Sequence, residues 1–261
     1  MLNFAAITPH PPIIIPGVGA SYDRLQAKQT IAALKELASE LIKIQPDTII
    51  IISPHAQMQP DVFVINSNES LEGGFDEFGF SRACSYPNDL EFINQLQDGC
   101  NQSRIPAALA PLPLDHGALV PLYYLLENLK SQVVHLAYSL LPSSVHIRYG
   151  RLIGEMARAS SKKIAIIASG DLSHRLSAAS PHGFSPEGAV FDRTLIENLQ
   201  TGDASLVAQM EEVPDLLEGA GECGYRSVVM LMGALDGVDH NFKLLSYESP
   251  FGVGYLTARL V

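Results

Sequence analysis

Apolar residues recur at steps of three and four along residues 22–45, and polar residues lie between them. This spacing predicts an amphipathic helix that ends at Pro46. The next segment, DTIIIIS at residues 47–53, is too short for a helix, rich in β-branched residues and apolar on both alternating faces. It therefore predicts a strand that is buried on both sides.

Strand-like and helix-like segments alternate along the rest of the chain. Further strands are predicted at residues 3–7, 62–66, 133–139, 163–169 and 242–248. Helices are predicted at residues 87–97, 119–129, 146–159, 188–199, 204–210 and 225–235. Because the central strands are apolar on both faces, we predict one α/β domain over residues 1–261. Its central sheet is expected to be mostly parallel, or mixed, with helices on both faces.

Residues 67–80, SNESLEGGFDEFGF, interrupt this alternation with glycines and acidic residues. The segment predicts a long loop, because glycine and charged residues weaken both kinds of periodic pattern. We interpret it as a lid or an oligomer contact rather than as a domain boundary.

Charge and composition exclude several classes of function. The chain has 28 acidic and 17 basic residues, for a formal charge of -11, and no basic run longer than Lys162–Lys163. Such a surface would repel a nucleic-acid backbone, so no nucleic-acid partner is expected. Three cysteines without a CxxC pair, and no signal-like segment, predict a reducing, cytoplasmic location. No apolar stretch reaches the roughly 20 residues that span a bilayer, so no membrane association is expected.

Histidines follow two of the predicted strands directly, and an aspartate and a histidine follow a third. His10 lies in TPHPP after the first strand, and His55 lies in SPHAQ after DTIIIIS. Asp171 and His174 lie in SGDLSH after the strand at 163–169. Because the carboxyl ends of parallel strands share one edge of a sheet, where ligands bind, we expect these side chains to converge.

Two further segments bring candidate residues to helix starts. His116 lies in PLPLDHGALVPL, where Asp115 either caps the helix or orients a neighbouring group. Glu222 and Cys223 lie in GAGECGYR at the start of the late helix. Successive helical side chains point about 100° apart, so at most one of this pair faces a given ligand.

Imidazoles with one carboxylate or thiolate form a site for a divalent transition metal. Two histidines and a carboxylate leave open positions on Fe(II), whereas a thiolate suits Zn(II). At most one of Glu222 and Cys223 would join the histidines as a ligand, and no HExxH or CxxC motif decides the metal. Taken singly, each residue also fits a structural role as a loop histidine, a helix cap or a small buried side chain. The other four histidines are interpreted as structural: His135, His146, His182 and His240.

Six short sequences, in chain order, resemble the motifs of one family. They are ITPHPPIIIPGVG, IIIISPHAQ, LPLDHGALVPLYYL, IIASGDLSHRL, GECGYRSVVMLMGAL and YESPFGVGYLTARL. Together they resemble the class III extradiol ring-cleavage dioxygenase catalytic-subunit superfamily, of LigB type, and are nearest to its Memo-like branch. The resemblance covers essentially the whole chain.

This resemblance implies roles for the candidate residues. In the ring-cleaving members, the histidines that match His10 and His55 bind Fe(II), together with a glutamate that corresponds to the neighbourhood of Glu222 and Cys223. The predicted metal ligands are therefore His10, His55, and Glu222 or Cys223. The histidines that match His116 and His174 act near the substrate and dioxygen. A small catechol-like molecule and dioxygen are therefore the implied partners, and a companion subunit or a homo-oligomer is expected as well.

Three functions follow from these residues as alternatives. The first is an Fe(II) dioxygenase in which His116 and His174 serve as acid/base groups toward substrate and oxygen. The second is a Memo-like metal-binding or redox-signalling protein, whose aspartate and cysteine match Asp171 and Cys223; Zn(II) or Cu would be its metal. The third is a Zn(II)-dependent hydrolase in which Asp171 or His174 assists an activated water.

Overall fold

The computed structural model describes residues 1–261. The strands are β1 (Leu2–Thr8), β2 (Thr48–Ser53), β3 (Phe63–Asn66), β4 (Ser70–Phe75), β5 (Phe80–Pro87), β6 (Ala107–Ala110), β7 (Gln132–Ala137), β8 (Ile164–Ser169), β9 (Lys243–Glu248) and β10 (Tyr255–Arg259). The α-helices are α1 (Ser21–Gln26), α2 (Lys28–Ile44), α3 (Leu90–Ser103), α4 (His116–Leu125), α5 (Ser143–Ala159), α6 (Pro186–Thr201), α7 (Ala204–Ala208), α8 (Leu216–Ala220) and α9 (Tyr225–Ala234). Short 3-10 turns lie at Pro12–Ile14, Asp76–Phe78 and Gln209–Glu212.

Eight strands form one mixed sheet in the order β6-β3-β7-β2-β8-β1-β10-β9. Its central strands β7, β2, β8 and β1 run parallel to one another. Strands β10 and β9 extend one side with antiparallel pairs, and β3 pairs antiparallel with β7 on the other side. The predicted α/β domain with a mostly parallel, mixed sheet is confirmed.

The isoleucines of β2 show how helices cover both faces of this sheet. Side chains alternate across a strand, so successive isoleucines enter opposite layers. Ile50 and Ile52 pack in a core with α3, α5, α6 and α9, whereas Ile49 and Ile51 pack in a second core with α2 and α4. All four are fully buried, which stabilises the fold by about 1.5–3 kcal/mol for each side chain.

The largest difference from the sequence analysis lies in residues 67–80. Most of this segment belongs to a hairpin in which β4 pairs antiparallel with β5 outside the main sheet. Leu71 and Phe75 face inward and are buried against α4. Gly73 lies so close to Leu114 that a Cβ would stand 2.6 Å from the Leu114 carbonyl oxygen. The glycine that permits this contact also removed the strand signal from the sequence.

Smaller differences concern element boundaries. The helix predicted over residues 22–45 is two helices, because Ala27 leaves the helical range with φ −99° and ψ 30°. Strands β6 and β10 and helix α8 were not predicted. None of the helices is both long and apolar enough to cross a membrane.

Candidate metal centre

The carboxyl ends of three adjacent strands bring candidate residues together. Strand β8 lies between β2 and β1, so the segments that follow these strands leave the sheet side by side. His10 follows β1 and His55 follows β2, and their Nε2 atoms lie 3.0 Å apart. The ring of His10 is buried, whereas His55 is exposed on its outer side.

A third imidazole completes what we call the histidine cluster: His10, His55 and His116. His116 is the first residue of α4, and its ring stacks on that of His55 with centroids 4.3 Å apart. One ligand nitrogen from each of the three residues lies within 4.8 Å of the other two. The sequence analysis placed His116 near substrate, and the structure places it within the group that can hold an ion.

Asp115 fixes the start of α4 and thereby the position of His116. Its Oδ1 caps the helix by accepting the Ala118 N–H at 3.2 Å, and it also accepts the Ser53 hydroxyl. Its Oδ2 lies 3.1 Å from His135 Nε2. The Asn66 amide donates to His135 Nδ1, so His135 Nε2–H donates to the carboxylate. Asp115 therefore performs both roles that the sequence allowed.

The network around Asp115 keeps it ionised beneath the histidine cluster. Burial raises the pKa of Asp115, but the hydrogen bonds from His135 and Ser53 outweigh it and hold the pKa well below its usual range. His135 was interpreted as structural; its ring contacts Asp115 rather than the cluster. His135 lies inside β7, and nothing in the sequence around it indicates that the carboxylate of Asp115, in a distant loop, is its partner.

All three imidazoles of the cluster are neutral near pH 7. Burial, followed by the charges of His55 and His116, lowers the pKa of His10 well below its ordinary value. His55 is exposed at its surface, but its neighbours keep part of its ring from water, and this loss of hydration lowers its pKa. Burial together with the charge of His55 lowers the pKa of His116 to about 4. A neutral imidazole has one nitrogen lone pair, which is the form that binds a metal.

Glu222 and Cys223 have different surroundings. Glu222 Oε2 accepts the Tyr225 N–H at 2.6 Å and so caps the first turn of α9; burial raises its pKa to about 7. Cys223 Sγ lies 3.5 Å from His10 Nε2 and 3.6 Å from the Asp171 carbonyl oxygen. Burial raises the pKa of Cys223 well above its usual range, so it is a thiol here. Of this pair, the cysteine contacts the cluster.

Asp171 and His174 lie on the β8 side of the cluster. Asp171 Oδ1 accepts the main-chain N–H of His10 at 2.9 Å, and burial raises the pKa of Asp171 to about 7. His174 makes no side-chain hydrogen bond to the cluster. Its Nδ1 is buried without a hydrogen-bond partner, and its ring lies 5.8 Å from that of His182.

The tip of the β4–β5 hairpin adds two residues that the sequence analysis did not single out. The Phe78 ring meets His116 edge-on at a centroid distance of 5.4 Å. Glu77 Oε1 lies 4.0 Å from His116 Nδ1, and its side chain is largely exposed. The long loop was interpreted as a lid or an oligomer contact, and both roles stay predictions. The structure shows that its tip contacts the cluster.

Residues 4–258 match the family described as the catalytic LigB subunit of aromatic ring-opening dioxygenase. The chain belongs to the LigB family. This match confirms the superfamily that the six short motifs resemble. Members of the LigB family are typically metal-dependent, and the three clustered histidines of this chain could hold an ion.

Two known proteins are similar to this LigB-family chain. Protein CA_C1420 of Clostridium acetobutylicum is 33% identical over an alignment of 274 residues, which covers 99% of this chain and 57% of that protein. The chain thus spans little more than half the length of that relative. The crystal structure of uncharacterized protein JW3007 from Escherichia coli K12 superposes with a TM-score of 0.73 at 17% identity and covers 99% of both chains. That likeness supports the fold.

Proposed function

We propose that this LigB-family protein is a metal-dependent dioxygenase that opens the ring of a catechol-like or other dihydroxy-aromatic substrate. One observation carries the proposal: three imidazoles with lowered pKa values meet at the carboxyl edge of the sheet, and one ligand nitrogen from each lies within 4.8 Å of the other two. Imidazole is a ligand for Fe, Zn and Cu. Membership of a family of ring-opening dioxygenases favours Fe(II).

The donor atoms of His10 and His55 fit one divalent ion, and a ligand nitrogen of His116 lies within 4.8 Å of both. His10 Nε2 and His55 Nε2 are 3.0 Å apart. Two nitrogens that bind one ion at about 2.1 Å and at right angles lie about 3.0 Å apart. The ionised Asp115 nearby supplies negative charge that balances a cation without being a ligand itself.

Bound Fe(II) would supply adjacent positions for the two substrate oxygens and for dioxygen. The surrounding residues position the histidines that would bind the metal. Asp171 holds the main chain of His10, and Asp115 holds the start of the helix that carries His116. We propose that Phe78 forms the wall against which the substrate ring packs, since its ring already meets an imidazole edge-on.

His174 is the acid/base group of the proposal. Burial lowers its pKa, so its ring is neutral at pH 7 and can take a proton from a substrate hydroxyl and return it. Its Nδ1 is buried, so Nε2 would be the nitrogen that exchanges the proton. The sequence analysis gave an acid/base role to His116 as well; we now propose His116 as a metal ligand.

Cys223 favours a second candidate, a Memo-like metal-binding or redox protein that does not cleave rings. Its Sγ lies 3.5 Å from His10 Nε2. A sulfur and a nitrogen that bind one tetrahedral Zn(II) at about 2.3 and 2.0 Å lie about 3.5 Å apart. A thiolate ligand would select Zn(II) or Cu rather than Fe(II).

Metal loading and oxygen uptake decide between the two candidates. The protein is loaded anaerobically with Fe(II), and oxygen consumption is followed with a panel of catechols and other dihydroxy-aromatics. We expect uptake that depends on Fe(II) and on substrate. His174→Gln should keep the iron and lower kcat by about 10²–10⁴-fold, because it removes a proton-transfer group and no ligand.

Cys223→Ala is the matched variant for the second candidate. Under the dioxygenase proposal it retains Fe(II), since three imidazoles remain. If the Fe(II) protein consumes no oxygen with any substrate, and Cys223→Ala abolishes Zn(II) or Cu binding, the second candidate replaces the first.

A further inference from the structure

Two serines end the neighbouring strands β2 and β8, directly beneath the histidine cluster. Ile52 of β2 is paired with Ala168 of β8, so Ser53 and Ser169 lie side by side, and both are buried. Each hydroxyl links two of the chain segments that carry the clustered histidines. Only one of the two contacts an imidazole nitrogen.

The hydrogen bonds of Ser169 determine which nitrogen of His10 carries the proton. Ser169 Oγ donates to the Gly117 carbonyl oxygen at 2.5 Å and lies 2.9 Å from His10 Nδ1. A hydroxyl has one proton, and a carbonyl only accepts, so Ser169 accepts from His10 Nδ1–H. A neutral imidazole has one N–H, which leaves a lone pair on His10 Nε2, the nitrogen that faces His55.

We propose that Ser169 is a positioning residue of the metal centre: it fixes His10 in the Nδ1–H tautomer and directs the Nε2 lone pair toward the ion. A metal-binding histidine commonly donates its other N–H to a neighbouring acceptor, which sets both tautomer and ring orientation. This inference rests on the proposed metal site.

The same hydroxyl couples His10 to the segment that carries His116. Its acceptor, Gly117, lies in the first turn of α4, and a Cβ at that position would stand 2.5 Å from Ser53 Oγ. The glycine therefore lets the start of α4 approach Ser53, while its carbonyl oxygen accepts the Ser169 hydroxyl. Because one oxygen contacts a cluster ring and the start of α4, two of the three imidazoles are held in a fixed relation before an ion binds.

The tautomer of His10 also dictates that of His55 in the metal-free protein. Two lone pairs 3.0 Å apart would repel, so His55 Nε2–H donates to His10 Nε2. An ion held by both Nε2 atoms would need a lone pair on each, so His55 would then carry its single ring proton on Nδ1. Ser169 thus holds His10 ready for the ion, whereas His55 must rearrange.

Ser53 provides a matched control on the adjacent strand. Its hydroxyl donates to Asp115 and lies 3.4 Å from the main-chain nitrogen of His55, and it touches no ring nitrogen. Ser53→Ala removes an equally buried hydroxyl that supports the site, but it leaves the Nδ1–H acceptor of His10 in place.

The test is long-range ¹H–¹⁵N NMR of the histidine rings in metal-free protein, with His10→Gln used to assign the His10 signals. We expect the Nδ1–H tautomer of His10 in the wild type and in Ser53→Ala. Ser169→Ala should show the Nε2–H tautomer or a mixture. Ser169→Thr, which keeps the hydroxyl, should restore the wild-type signals. A wild-type His10 in the Nε2–H form, or a Ser169→Ala spectrum like that of the wild type, overturns the inference.

Zn(II) affinity, measured by competition with a chelator, gives a second readout. Ser169→Ala should weaken binding by about 10–100-fold, the usual effect of losing such a support, and Ser53→Ala by less. Equal losses in the two variants contradict a specific role of Ser169. If the wild type binds no metal, the proposed function fails, whereas the NMR spectra still decide the tautomer. Should Ser169→Ala not fold, the wild-type spectrum and Ser169→Thr carry the test.

Discussion

Adjacent side chains in the GECGYR segment have different partners. Glu222 caps α9 through the Tyr225 N–H, while Cys223 contacts His10. Both residues precede α9, which begins at Tyr225, so the loop before the helix, and not the helical spacing expected from the sequence, directs their side chains. An ion at this site would therefore meet mainly imidazole nitrogens, and the sulfur of Cys223 would be the one further donor close to them.

Variants of Glu222 test this difference. Glu222→Ala removes the cap and should lower the free energy of unfolding by about 0.5–2 kcal/mol, measured by urea at pH 6, without loss of metal. Glu222→Gln keeps an oxygen acceptor and should be close to the wild type. Loss of bound metal in both variants would instead identify Glu222 as a ligand.

Thr8 tests the value of a buried hydroxyl that has no partner. It is paired with Ser169 across β1 and β8, and its Oγ1 makes no hydrogen bond. Thr8→Val keeps the shape and removes the unpaired group, so the free energy of unfolding should stay constant or rise by about 1 kcal/mol. Urea unfolding measures it, and a loss above about 1 kcal/mol would mean that the hydroxyl has a partner.

At the scale of elements, the β4–β5 hairpin joins the core to the cluster. Leu71 and Phe75 anchor it beneath α4, and its tip places Phe78 against His116. The close contact at Gly73 sets the distance between the hairpin and the loop before α4. A change in how the hairpin packs on the core would therefore move Phe78, the proposed wall of the substrate site.

Gly73→Ala should displace this hairpin. The new Cβ would meet the Leu114 carbonyl oxygen, and we expect a loss of about 1–3 kcal/mol in the free energy of unfolding. Glu72→Ala, at an exposed position of the same strand, serves as the control and should change it by less than about 0.5 kcal/mol. Equal stability of Gly73→Ala and the control would show that the contact is not tight.

Across the whole molecule, buried carboxylates make stability depend on pH. Asp192 in α6 accepts the Tyr247 hydroxyl at 2.6 Å and the Ser173 N–H at 2.8 Å, and so joins α6 to β9 and to the segment after β8. Burial, only partly offset by these hydrogen bonds, raises its pKa from 3.8 to about 6. The folded state thus binds a proton that the unfolded state releases.

Asp192→Asn tests the direction of this effect. A raised pKa means that the contribution of Asp192 to stability is present below pH 3.8 and is lost as pH rises toward 6. Between pH 3.8 and about 6, the free energy of unfolding of the wild type should fall by about 1–3 kcal/mol relative to that of Asp192→Asn, as measured by urea unfolding at several pH values. A wild type that instead gains stability relative to the variant as pH rises would contradict a raised pKa.

Much of the fold was predictable, because it depends on local patterns. The isoleucine run of β2 and the repeated strand-to-helix alternation indicate a sheet buried on both sides, and parallel order then brings His10 and His55 to one edge. The hairpin was missed because Gly73 and Gly74 suit a tertiary contact rather than a strand. The role of His135 was also hidden, since its partner Asp115 belongs to a loop between other elements.

Other expectations concern more than one chain. The companion subunit or homo-oligomer expected from the family resemblance stays a prediction.

The central claim is that His10, His55 and His116 hold one ion. X-ray absorption spectroscopy of the Fe(II)-loaded protein tests it most directly, because it counts the imidazole ligands around the metal. The account predicts one iron per chain with scattering from three imidazoles, reduced to two or abolished in His116→Ala. Iron bound without imidazole scattering, or a spectrum unchanged in His116→Ala, would contradict it.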